Sequence, residues 1–243
     1  MSGESNPRQD IPPAPAARRA GWGVSSATLG YVAPFAVFIF CLMLQRVFPA
    51  RQELIQVFRF VLALVAICVF SRRYFSLRPS LPLASLALGV AVFVVWIGPD
   101  LLWPGYRAHW LFQNGLMGDA ASTIPRHLRR GIWFLAIRTA STCVIVPILE
   151  ELFWRGWLMR WLIRSDFTAV PLGTYKAQAF WLSAVLFASE HGPYWEVGLL
   201  AGVAYNWWLV RTRSLADCIL AHAVTNGCLA AYVILRGEWQ YWL

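Results

Sequence analysis

Glu150, Glu151 and Arg155 fall in the stretch VPILEELFWRGWLMRW, which continues a long apolar run. An ionised side chain at bilayer depth costs roughly 3 kcal/mol on insertion scales, so such groups persist where they pair or do work. On a helix, Glu151 and Arg155 are four residues apart and share a face, which permits an ion pair within one helix. Glu150 is turned from Glu151 by roughly 100°, because a helix completes a turn every 3.6 residues. The spacing therefore gives the two glutamates different jobs: Glu151 pairs with Arg155, and Glu150 points into a cavity. The competing reading is a solvated helix end just past the membrane. Leu152, Phe153, Trp154, Trp157 and Leu158 argue against full exposure.

Two more polar clusters sit on later apolar segments. Phe187 and His191 are four apart at the end of a short apolar stretch, where a lone His also fits an interfacial role. Glu190 beside it is expected to face water. His222 and Asn226, also four apart, lie inside the last apolar run. Stacked polar side chains at such a depth either bond to another helix or line a cavity. Taken together the clusters supply a carboxylate, two imidazoles and an amide. Glu150 with His191 could hold and deprotonate a water. His222 and Asn226 could donate hydrogen bonds to the oxyanion formed when an amide carbonyl is attacked. That set hydrolyses a peptide bond with no Ser or Cys nucleophile. Glu150, His191 and His222 would equally make three ligands of a catalytic Zn2+ with a fourth position open to water. The sequence leaves both mechanisms open, and it contains no HExxH helix.

The ordered set E-E-x-x-x-R (Glu150, Glu151, Arg155), F-x-x-x-H (Phe187, His191) and H-x-x-x-N (His222, Asn226) resembles the CPBP family. That family holds the CAAX-prenyl-protease-like and bacteriocin-processing, Abi-type intramembrane proteases. The resemblance covers about the last hundred residues; the first 130 add compatible membrane spans. It implies an endopeptidase in which Glu150 and His191 activate water, His222 and Asn226 stabilise the oxyanion, and Glu151 and Arg155 complete the site. The family's common label of metalloprotease implies no settled metal requirement. A prenylated CAAX substrate does not follow from the motifs. The expected partners are membrane lipid and a membrane-associated or lipidated protein or peptide substrate.

Rival readings attach to other features. Cys218 is four residues before His222 and on its face, a spacing that permits a thiolate–imidazole pair. It supports a cysteine transpeptidase resembling the exosortases, with Arg138 assisting. Arg138 is about 18 Å along a helix from Glu150 at 1.5 Å per residue, which places it outside the site proposed above. Arg59 and Arg138 lie in apolar runs and need partners or a path to the surface. A membrane adaptor or immunity protein would keep the polar clusters for packing alone. A transporter would use the carboxylates as a proton or ion site.

These residues must be positioned by a helical membrane bundle. Of 243 residues, 58% are hydrophobic and 14% charged, against about 25% charged in soluble domains. Mean hydropathy is +0.53. The net charge of +9 comes from arginines that mostly flank apolar runs, together with Lys176. It reads as topology and headgroup contact, with no nucleic-acid partner. The five cysteines are scattered through apolar runs without a CxxC pair, a pattern unlike a disulfide framework.

The fold expected is all-α, a polytopic bundle of about seven spans (six to eight) in one domain at 25–243, with the catalytic region at about 131–235. Residues 1–24 read as a disordered basic, Pro-rich tail. Apolar runs predict spans at about 27–45, 54–71, 81–98, 131–163, 177–190, 195–210 and 215–235. The fourth exceeds what a bilayer needs, so it tilts, kinks at Pro147 or projects into water. The loop after Pro99 is expected to lie partly in the interface. Gly198, Gly202 and Ala204 read as close helix packing. The balance of Lys and Arg between loops favours a cytoplasmic N-terminus, against the Arg126–Arg130 cluster, in what reads as a bacterial inner membrane.

Overall fold

The structure is a computed structural model that describes residues 25–48 and 51–242. The tail expected at 1–24 lies outside the described residues. Seven helices of more than ten residues carry the described fold: α1 Ser26–Val47, α2 Gln52–Ser71, α3 Pro82–Leu102, α4 Ile132–Trp161, α5 Ala177–Ser189, α6 Trp195–Thr212 and α7 Leu215–Arg236. Five of them, α1 to α4 and α7, are long and apolar enough to cross a membrane. The chain is an integral membrane protein. Helix α5 has 13 residues, too few to span a bilayer at 1.5 Å per residue.

Apolar side chains fill most of the interior and also cover the outside, with a few polar groups wholly buried among them. Phe40, Met43, Leu83, Val94 and Leu235 are exposed, whereas Gln56, Glu151, Arg155, Asn206 and Asp217 are wholly buried. Lipid supplies no hydrogen bonds, so polar side chains find partners between helices. α3 packs along α7, α5 along α6 and α1 along α2, and α4 lies against α7 and α1. At Gly89 of α3 an added Cβ would stand 2.4 Å from the Ala221 carbonyl of α7, so only glycine allows that approach.

Helix ends follow local chemistry. Ser25 accepts the Thr28 N–H at the start of α1, and Ser214 accepts that of Asp217 at the start of α7. Helix α3 opens with Pro82 and has no cap of its own. Its cap comes from α7: Asp217 accepts the N–H groups of Ser80 and Leu81, both at 2.8 Å, and the hydroxyls of Ser80 and Ser85 at 2.6 and 2.9 Å. Between α6 and α7, Arg213 takes a left-handed conformation at φ 55° and Gly237 closes α7 at φ 74°.

The fourth span is one helix that changes pitch. Ser141–Ile145 and Leu152–Leu158 are π-helical, on either side of the Pro147 at which a kink is expected. Val146 N–H reaches back five residues to Ser141 O. Pro147 has no N–H to give, so Thr142 O loses its partner within the helix. Asn226 Nδ2 of α7 fills it at 2.8 Å.

Candidate active site

Glu151 is wholly buried at the centre of a chain of polar contacts. Its Oε1 accepts from Arg155 Nη1 at 3.3 Å and from His222 Nδ1 at 2.9 Å. Arg155, also wholly buried, donates from Nε to Asn206 Oδ1 at 3.0 Å and from Nη2 to Gly202 O at 3.2 Å. Asn206 in turn donates to Phe180 O at 2.8 Å and Ser183 Oγ at 2.9 Å. The network ties α4, α5, α6 and α7 together. Phe187 and Tyr205 rings face the Arg155 guanidinium at 4.4 and 5.4 Å.

Glu150 takes a different direction. It lines a cavity of about 1080 Å³, and its Oε2 stands 4.0 Å from His222 Nε2. Oε2 has no hydrogen-bond partner among the described residues. His191, His222 and Asn226 line the same cavity, as does Glu190. Three separate parts of the chain thus bring their polar groups to one hollow.

Each imidazole is held by one nitrogen. A carboxylate only accepts, so His222 Nδ1 carries the proton it gives to Glu151, and its Nε2 faces Glu150. The His222 ring stacks on Tyr205 with centroids 5.1 Å apart. His191 Nδ1 bonds to Phe187 O at 2.9 Å, which leaves its Nε2 as an acceptor by the same logic. Its ring meets Trp96 edge-on at 5.2 Å. Gly198 makes the room: a Cβ there would stand 3.1 Å from the imidazole. Gly202, where a Cβ would press within 3.1 Å of Ala184 O, also leaves its carbonyl to Arg155. Both positions show the close packing expected of them.

The loop after α3 reaches this hollow. Met117, Gly118, Asp119, Ala121 and Thr123 line it, and Met117 O is 2.9 Å from the place a Cβ on Gly192 would occupy. Arg107 anchors the loop by ion pairs to Asp100 at 3.0 Å and Glu196 at 2.7 Å, and by a bond to Pro193 O at 2.6 Å. Tyr241 lines the cavity too and donates to Asp100 Oδ2 at 2.9 Å. Burial, and then the Asp100 carboxylate, hold its phenol well above the ordinary range, so it remains a donor.

Cys218 has no access to the cavity. It is wholly buried and its thiol points at Tyr205 O at 3.6 Å. All five cysteines are free. Among the described residues no group of three His, Cys, Asp or Glu side chains is close enough to hold a metal ion. Glu150, His191 and His222 as placed do not fit a zinc site.

Residues 132–228 match the family model described as Type II CAAX prenyl endopeptidase Rce1-like. Over this region the chain is similar to that family. The match runs from the start of α4 into α7, so it contains the whole Glu150, His191, His222 and Asn226 set. Helices α1 to α3 fall outside the Rce1-like match, although α1 and α3 contribute Phe38 and Trp96 to the cavity wall. No curated protein and no solved structure matches the chain significantly.

Tyr205, Asn206 and Asp217 had no part in the sequence reading. A polar pair inside the apolar 195–210 run was the available signal for the first two. Asp217 carried none beyond its place near a helix start.

Proposed function

We propose that the protein is an intramembrane endopeptidase that cuts a peptide bond of a membrane-associated or lipidated substrate, with Glu150 as general base. The observation that carries the reading is the single cavity shared by Glu150, His191, His222 and Asn226. A water held between Glu150 and the Nε2 of His191 gives its proton to the Glu150 carboxylate as its oxygen attacks the substrate carbonyl carbon. The resulting oxyanion takes hydrogen bonds from the Asn226 N–H not used by Thr142 and from His222. To donate from Nε2, His222 needs a second proton, and Glu150 has one to give across 4.0 Å. The proton then passes to the leaving nitrogen and the C–N bond breaks to give a carboxylic acid and an amine, which part as carboxylate and ammonium once the acid's proton has moved to the amine. Glu151, fixed by Arg155, holds His222 in register throughout.

The test is Glu150→Gln in the purified, reconstituted protein. Proteolysis should fall by about 10²–10⁴-fold with membrane yield and melting temperature close to wild type; undiminished cleavage would exclude the reading. The reaction as written needs no metal. Cleavage should survive phenanthroline, with bound zinc well below one equivalent; one equivalent of zinc and full inhibition would replace the Glu150-base scheme with a metal-bound water.

A further inference from the structure

Arg126, Arg129 and Arg130 stand in one turn just before α4. With His127 and Trp239 they line a second hollow, of about 470 Å³, separate from the one that holds Glu150. Its lining carries three guanidiniums and no carboxylate. Arg129 is already in use: its Nε donates to Ile124 O at 3.0 Å, and its guanidinium lies 5.4 Å from the centre of the Trp239 ring. Arg126 and Arg130 are exposed and form no ion pair among the described residues. Glu238, the acid beside Trp239 in the chain, accepts from Gln240 Nε2 at 2.7 Å. The hollow lies between the start of one span and the end of another. Ile132 and Trp133 open α4 and Leu235 nearly closes α7, and all three are exposed. In a bilayer such side chains meet lipid, so the turn beside them stands at headgroup level. The Asp217 cap joins the start of α7 to the start of α3, whereas Arg129 meets Trp239 beyond the end of α7. The cluster is therefore at the opposite end of the bundle from Arg72, Arg73 and Arg78, and orientation by Lys and Arg leaves it unaccounted for.

We propose that this hollow binds the phosphate of an anionic phospholipid, with Arg126 and Arg130 on the phosphate oxygens and the acyl chains along Ile132, Trp133 and Leu235. A guanidinium gives a phosphate two parallel N–H bonds, and Arg129 braces the turn from which the other two reach. The apolar flank decides the occupant. A free phosphate or an acidic peptide gains nothing from Ile132 and Trp133, whereas a diacyl lipid covers them. The site also has a structural consequence. Trp239 is followed by Tyr241 and Trp242, which line the hollow of Glu150, and Trp242 O accepts from Ser122 Oγ at 2.9 Å, just before the arginine turn. A lipid clasped there steadies both a loop and a C-terminal segment that wall the larger cavity. Its binding does not depend on what that cavity does.

Short-chain lipids read the site without turnover. Dioctanoyl-phosphatidylglycerol and dioctanoyl-phosphatidylcholine are titrated by calorimetry into the full chain in neutral detergent. Phosphatidylglycerol should bind about 10- to 30-fold more tightly, the range for two cations beside an anionic headgroup, and should raise the melting temperature as it saturates. Arg126→Gln with Arg130→Gln should bring the ratio near one, and Arg126→Lys with Arg130→Lys should keep most of it, with melting temperature in phosphatidylcholine recording that each variant is folded. Arg72→Gln with Arg73→Gln removes the same charge from the other end of the bundle and should leave the ratio unchanged. Equal binding of the two lipids would overturn the site. So would a preference that survives Arg126→Gln with Arg130→Gln in the folded protein. A preference lowered as much by the Arg72 and Arg73 changes would reduce it to diffuse attraction. Displacement of phosphatidylglycerol by inorganic phosphate at equal concentration would remove the acyl contacts and assign the hollow to a free anion. Displacement by a soluble tetraglutamate peptide at equal concentration would assign it to an acidic protein segment instead.

Discussion

His222 Nε2 faces Glu150 Oε2 across 4.0 Å while its Nδ1 is bonded to Glu151. The distance is too long for a direct hydrogen bond and suits a small bridging group. One imidazole therefore links a wholly buried carboxylate to one that opens on the cavity.

The Glu150 and His222 effects should not add. Glu150→Gln and His222→Asn should each remove most of the turnover, and the double variant should be little worse than either alone, as for groups that act as a unit. Single-turnover rates of the three variants check this. Losses that multiply would show that the two side chains work independently.

Arg155 and Glu151 are coupled through stability. Removing Arg155 strands a buried carboxylate, and breaking such a pair costs about 3–5 kcal/mol. At roughly 2–4 °C per kcal/mol for a chain of this size, Arg155→Met should lower the melting temperature by about 10 °C. Glu151→Gln should cost less stability but more activity, because His222 loses its anionic partner. The double variant should recover part of what Arg155→Met loses. Equal melting temperatures for Arg155→Met and wild type would contradict the placement of this network.

How much of this was legible follows from range in sequence. The spans predicted at 27–45, 81–98 and 215–235 correspond to α1, α3 and α7, because Ser25, Pro82 and Gly237 punctuate apolar runs locally. The Glu151–Arg155 pair was legible for the same reason, being one turn long. Asn206 meets Arg155 across 51 positions and Asp217 meets Ser80 across 137. No periodicity announces such partners. A kink at Pro147 was one of three ways foreseen for the long span to fit, beside tilting and projecting into water, but the carbonyl that Pro147 frees and its capture by Asn226 need coordinates. Arg138 was set apart from Glu150 by its distance along the helix. That distance stands, yet the hollow is long enough to include both.

The Asp217 cap predicts a stability effect without a catalytic one. Asp217→Ala leaves the Ser80 and Leu81 N–H groups without their acceptor and should cost about 2–3 kcal/mol, lowering the melting temperature by about 5–10 °C. Turnover measured well below that transition should stay within about twofold. Thermal scans and rates on one preparation separate the two. Unchanged melting would mean that Asp217 does not hold α3.

Cys218→Ala should retain cleavage within about twofold, since the thiol is sealed from the cavity, with a loss of about 1 kcal/mol for the smaller side chain. A folded but inert Cys218→Ala protein would return the transpeptidase reading to the front.

Asp217, His222 and Asn226 all ride on α7, the last of the seven helices to be synthesised. Until α7 inserts, the amino end of α3 is uncapped, the Thr142 carbonyl is unanswered and no imidazole reaches Glu151. Six helices can therefore enter the bilayer before the Glu150 hollow is complete, and its last polar groups arrive in one step with the strut that locks the bundle.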